Sequence, residues 1–99
     1  MIGEPFAWVY ILASQKRGTI YIGVTSNLAQ RITDHRDGKA AGFTKRYKVH
    51  RLVRCEPFDD INEALAREKA LKKWRRNWKI RLIEESNSDW SDLWFALNK

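Results

Sequence analysis

Residues 6–12, Phe-Ala-Trp-Val-Tyr-Ile-Leu, form an unbroken apolar, aromatic and β-branched run. Seven residues suit a strand, and the lack of polar alternation predicts one buried on both faces. A polar turn, Gln15-Lys16-Arg17-Gly18, separates it from residues 19–23, Thr-Ile-Tyr-Ile-Gly, which read as its hairpin partner. Tyr10 and Tyr21 then lie on neighbouring strands.

The next signals are helical. Ser26 and Asn27 both suit an N-cap, and Asn27 with Gln30 has capping-box spacing, so a helix is expected to about Asp37 with Gly38 as its C-cap residue. At 100° per residue Leu28, Arg31, Ile32 and His35 share one narrow sector, which stacks Arg31 and His35 on a face that also touches the core. Residues 39–48 form a basic loop with Lys39, Lys45, Arg46 and Lys48. Residues 49–55 alternate imperfectly and predict a third strand, ended by Glu56-Pro57.

Asp60 with Glu63 predicts a second capped helix, whose apolar stripe is Ile61, Ala64, Leu65 and Leu71. Glu68 falls near the middle of that stripe, where a core residue is expected. Residues 67–81 carry eight basic residues and one acid, with Lys72, Lys73, Arg75 and Arg76 at the centre and Trp74 and Trp78 four apart. A bend is expected at Trp74 or Asn77. Ser86-Asn87-Ser88 breaks the pattern, and residues 89–97 predict a final helix with Trp90 and Trp94 on one face. The expected fold is α+β: a small three-stranded antiparallel sheet flanked by helices, in one domain covering residues 1–99.

Nineteen Lys and Arg against twelve Asp and Glu give a net charge of +7, which suits a polyanionic partner, nucleic acid first. The single cysteine, Cys55, excludes an internal disulfide and reads as a small buried hydrophobe. No leader-like start and no apolar run of membrane-spanning length is visible, so a cytoplasmic protein without a membrane partner is expected. No zinc-ligand spacing and no glycine-rich phosphate loop occurs, and His50 has no evident role.

Each candidate has a plainer reading. Two tyrosines on paired strands are ordinary amphipathic packing, Arg31 and His35 an ordinary solvated helix edge, Glu68 an ion-pair partner of Arg31 or Lys72, and Asn87 a turn residue. Their joint order and spacing resemble the GIY-YIG nuclease superfamily. Trp8-Val9-Tyr10 stands where that family has Gly-Ile-Tyr, Tyr21-Ile22-Gly23 is an intact second half, and Arg31, His35 and Glu68 match its helix arginine, histidine and metal-binding glutamate. The tail Asn87-Ser88-Asp89-Trp90-Ser91-Asp92-Leu93 is similar to the Asn-Pro-x-Trp-x-Asp-Leu ending of small stand-alone members, with Ser88 in the proline position. Trp8 and Val9 depart from the pattern at backbone positions only, and no separate DNA-recognition domain is visible.

The resemblance implies a metal-dependent DNA endonuclease, structure-directed or weakly sequence-directed, with a role in repair or recombination. In it Tyr10 is the general base, His35 accepts or relays the proton, Tyr21 positions water or phosphate, Arg31 stabilises charge on the phosphate, and Glu68 holds Mg²⁺ or Mn²⁺, with Gly23 and Asn87 in support. A tyrosine with an ordinary pKa of about 10 needs a nearby cation for that task. Lys45, Arg46, Lys72, Lys73, Arg75 and Arg76 are the expected DNA contacts, on a monomer or weak dimer. The alternatives are a non-catalytic nucleic-acid-binding module on the same scaffold and an interaction protein using the basic helix and Trp-rich tail.

Overall fold

The computed structural model describes residues 5–39, 42 and 46–97. Strand β1 (Ala7–Ala13) and strand β2 (Ile20–Thr25) pair antiparallel, with Tyr10 opposite Gly23 and Leu12 opposite Tyr21. Helix α1 (Leu28–Arg36) follows, then strand β3 (Arg51–Phe58), helix α2 (Ile61–Lys73), helix α3 (Arg76–Ser86) and a single turn, α4 (Trp94–Leu97). The sheet order is β2-β1-β3, and β3 is antiparallel to β1. The architecture is the expected α+β one.

The central strand is buried on both sides, as its composition required. Ala7, Val9, Ile11 and Ala13 face Ala64 and Leu71 of α2 and Leu82 and Ile83 of α3. Tyr10 and Leu12 face Leu28 and Ile32 of α1, together with Val49 and Leu52. Period-two alternation along β1 thus feeds two apolar layers. Burying a side chain such as Ile32 or Leu71 contributes about 1.5–3 kcal/mol each, enough to fix α1 and α2 on opposite faces.

Helix α1 follows its local signals. Asn27 Oδ1 accepts from the Gln30 N–H at 3.2 Å, and Gly38 takes a φ of 74° just past the end. The reciprocal half of the capping box is different: the Asn27 N–H goes to Thr25 Oγ1, while the Gln30 side chain donates to Asp34. Asp60 caps α2 through Asn62 rather than Glu63.

Five expectations need correction. Strand β3 runs through Pro57, which pairs with Trp8; β3 is an edge strand, and an edge tolerates the missing N–H. In α2 the buried residues are Ala64 and Leu71, with Glu68 half-buried between them, while Ile61 and Leu65 are 42% and 36% exposed. Positions 64, 68 and 71 centre the face on Glu68 itself, which leaves the other two on its flank. The bend falls at Trp74 and Arg75, both extended, so Asn77 lies inside the first turn of α3.

The tail differs most. Trp90 adopts φ 57° and is fully buried against α3, whereas Trp94 packs on the other layer. A left-handed residue cannot continue a right-handed helix, so only residues 94–97 are helical. Asp92 fastens the segment: its Oδ1 accepts from Leu52 N–H and Trp94 N–H, and its Oδ2 pairs with Arg36. Cys55 is half-buried rather than buried, and burial pushes its thiol up.

Candidate active site

The β1–β2 register builds the site. A Cβ on Gly23 would lie 2.5 Å from Tyr10 Cζ, so glycine at that position leaves space for the Tyr10 ring to cross β2. Tyr21 sits diagonally on the same face, its ring centroid 6.3 Å from that of Tyr10. On α1, Leu28, Ile32 and His35 form the buried face, and this delivers His35 to both tyrosines at 5.7 and 5.6 Å between ring centroids. Tyr10 Oη and His35 Nε2 are 3.1 Å apart.

The electrostatics set the charge states of that pair. Burial pushes the Tyr10 hydroxyl far above its ordinary value; Tyr21 and Glu68 push the same way, and Arg31 pulls against them. Burial first, then the Arg31 charge, hold His35 below its ordinary 6.5, with Asp34 opposing. At neutral pH Tyr10 is therefore protonated and His35 neutral. In the tautomer that carries its proton on Nδ1, the hydroxyl donates to Nε2. Arg31, one turn before His35, is exposed, and its charge acts on both partners.

Glu68 reaches this cluster from the layer across the sheet, close enough for its charge to act on Tyr10. Its side chain is only 15% exposed, with Lys72 Nζ as a loose partner at 3.5 Å. Glu56 offers the contrast. It is as well buried, but Arg54 donates to it at 2.8 Å and Arg67 at 2.9 and 3.1 Å. Burial opposes its charge, yet these two guanidinium groups outweigh that and hold its carboxyl below the ordinary range. Glu56 has three of its roughly four acceptor sites taken by guanidinium groups, whereas Glu68 has the one loose ion pair and most of its acceptor capacity left.

That donor set fits a hard cation. Among the described residues no group of three or more His, Cys, Asp or Glu is placed to hold a metal, which does not suit zinc. Mg²⁺ and Mn²⁺ take one or two carboxylates and complete their shell with water and phosphate oxygens. Glu68 supplies what such an ion asks of a protein.

The expected DNA contacts are dispersed. Lys45 lies outside the described residues. Arg46 stacks on Tyr47 at 5.6 Å, and Arg75 on Trp78 at 5.5 Å. Lys72 and Lys73 are exposed in the last turn of α2. Arg76 donates to the carbonyls of Arg17 and Gly18 at 2.6 and 2.7 Å, which ties the β1–β2 turn to α3. Asn87 serves the scaffold: its Nδ2 donates to the carbonyls of Val53 and Ser91, and its Oδ1 accepts the Ser91 N–H. Val53 is the extra residue of a β-bulge opposite Ile11 and Leu12, so Asn87 satisfies a carbonyl at a disrupted rung of the ladder.

Sequence reasoning missed Lys79. With Ile20, Tyr21, Ile22 and Lys72 it lines a groove of about 300 Å³ along β2. Its one sequence signal was membership of the basic run. No helix among the described residues is long and apolar enough to cross a membrane.

The profile of the GIY-YIG catalytic domain matches residues 6–81, which contain every residue of the cluster. A UPF0213 protein of Desulfotalea psychrophila is 34% identical over 90% of this chain and 82% of its own length. Another, of Clostridium perfringens, is 39% identical over 81% of this chain and 85% of its own. The solution NMR structure of a UPF0213 protein from Bacillus halodurans superposes with a TM-score of 0.55 at 31% identity, covering 87% of this chain and 90% of that one.

Proposed function

Because the chain belongs to the GIY-YIG family, alongside the small UPF0213 proteins, we propose that it is a divalent-metal-dependent DNA endonuclease. We read it as a single cytoplasmic domain over residues 1–99, acting as a monomer or weak dimer. Its substrate is recognised by structure or by weak sequence preference, in repair or recombination. The observation that carries the reading is the convergence on one phenol: Tyr10 bonds His35 at 3.1 Å while the charges of Arg31 and Glu68 act on it from two different layers.

The chemistry follows from those contacts. Tyr10 in its resting state is an acid, so it serves as general base only as its proton leaves. His35 Nε2, already bonded to that hydroxyl, is the acceptor. Water attacking phosphorus gives its proton to Tyr10 Oη as the Tyr10 proton passes to His35, so the phenolate is never fully formed. The depressed pKa of His35 then favours return of the proton to solvent or the leaving group. Arg31 is exposed beside this path, and its permanently charged fork suits the charge that builds on the phosphate oxygens. Tyr21 packs on both rings and orients water or phosphate. An ion held by Glu68, Mg²⁺ or Mn²⁺, would supply Lewis-acid polarisation of the phosphoryl group.

Glu68→Ala and Arg31→Ala separate this reading from adventitious cleavage. Each is expected to abolish nicking of supercoiled DNA in Mg²⁺ or Mn²⁺ while the cooperative unfolding transition is retained. Cleavage that survives both substitutions would overturn the assignment.

A further inference from the structure

The groove along β2 and the Glu68–Lys72 pair are parts of one surface. Tyr21 belongs to the catalytic cluster and also lines the groove. Lys72, the other shared residue, lines it from α2 and is the ion-pair partner of Glu68. Strand β2 is an edge of the sheet, with no further strand on this side among the described residues. Lys79, on α3, completes the wall, with its Nζ 3.4 Å from the Lys72 carbonyl. The groove thus starts at the proposed scissile position and carries two ammonium groups, an arrangement complementary to a polyanionic backbone.

Among the described residues Lys72 has Glu68 as its ion-pair partner. Its pair with Glu68 is long, 3.5 Å, and its side chain is 52% exposed, against 15% for the carboxylate. An ammonium on a flexible stem is mobile, whereas the carboxylate is fixed among packed neighbours. A divalent cation at Glu68 places like charge against Lys72 and releases it into the groove it already lines.

Resting on the nuclease reading above, we propose that Lys72 is the resident counter-ion of Glu68 and that a divalent cation displaces it. Freed, Lys72 joins Lys79 in gripping a DNA backbone phosphate next to the scissile one. Metal loading and strand gripping are thereby coupled through a single side chain. Among the described residues Lys79 has no carboxylate partner, and it grips the phosphate whether or not the cation is bound.

The test uses the whole chain with Lys72→Met and Lys79→Met, both surface substitutions, and with Lys72→Arg to keep the charge. Without DNA, Mn²⁺ affinity read by spin resonance should tighten roughly three-fold or more in Lys72→Met, because a unit positive charge beside a divalent site is gone. It should be unchanged in Lys79→Met and close to wild type in Lys72→Arg. The salt dependence of duplex binding gives the second readout. In Ca²⁺ the slope of log affinity against log salt should fall by about one for each methionine variant. In chelator it should fall by about one for Lys79→Met and stay unchanged for Lys72→Met.

Wild-type protein that cleaves DNA and binds Mn²⁺, while Lys72→Met leaves that affinity unaltered, overturns the exchange and leaves the nuclease reading standing. Equal slope changes for Lys72→Met with and without the divalent ion overturn it as well. Wild-type protein that neither binds Mn²⁺ nor cleaves removes the nuclease reading and the exchange together.

Discussion

Gly23 is the smallest residue of the candidate site and the least replaceable. A methyl group there meets the Tyr10 ring at 2.5 Å from Cζ, so the ring must move and the 3.1 Å bond to His35 goes with it. Gly23→Ala is expected to cost about 1–3 kcal/mol in denaturant unfolding, as overpacking does, and to suppress cleavage. Full activity in that variant would show that the Tyr10 ring is not needed where it lies. Tyr10→Phe keeps the ring and removes only the hydroxyl; cleavage should fall about 10²–10⁴-fold with a stability change of about 1 kcal/mol. His35 must be neutral to accept the proton, and burial and Arg31 hold its pKa below 6.5. The midpoint of the acid limb of the cleavage-rate profile should therefore lie below 6.5. A midpoint above 6.5 would contradict the relay.

At the scale of elements, two straps hold the hairpin turn and the C-terminal tail in place. Glu84 on α3 accepts from Arg17 of the hairpin turn at 2.9 and 3.0 Å and from Trp90 Nε1 at 2.8 Å. The hydrogen bonds from Arg17 and then Trp90 pull its carboxyl down to about 2 from 4.5. Between those values the unfolded chain takes up a proton that the folded chain refuses, so stability drops as pH falls through that window. Glu84→Gln should flatten the acid limb of a stability-against-pH curve; an unchanged limb would mean the strap is not formed in solution. Asp92 is the second strap, and Asp92→Ala, which orphans the Leu52 N–H, should cost about 1–3 kcal/mol by the same unfolding measurement.

These elements also mark what the sequence could say. Helix α1 was legible because Asn27 and Gly38 are local signals, and Glu68 because a carboxylate inside an apolar stripe breaks a pattern that can be counted. The passage of β3 through Pro57 depends on β3 being an edge, which only the assembled sheet decides. The left-handed turn at Trp90 depends on the bond from its indole to Glu84 and on its burial under α3, neither of which is local. The exposure of Ile61 and Leu65 depends on which side of the Glu68 face the sheet meets. The rings of Tyr10, Tyr21 and His35 could be assigned to neighbouring elements, but the collision that makes Gly23 necessary appears only once the register is known.

For the molecule as a whole, a net charge of +7 is spread over a surface on which several cations already have structural partners. Arg76 is bound to the hairpin turn, Arg36 to Asp92, and Arg54 and Arg67 to Glu56. DNA affinity is therefore expected to depend on fewer contacts than the basic count suggests, with a salt slope well short of one unit per basic residue in residues 67–81. The central claim is that this surface surrounds a working hydrolytic site rather than a binding face. Its most direct test incubates wild-type and Glu68→Ala protein with supercoiled, branched, single-stranded and damaged DNA in Mg²⁺ or Mn²⁺. Cleavage of at least one substrate by the wild type and of none by the variant is the expected result; binding without cleavage of any of them by the wild type would contradict it.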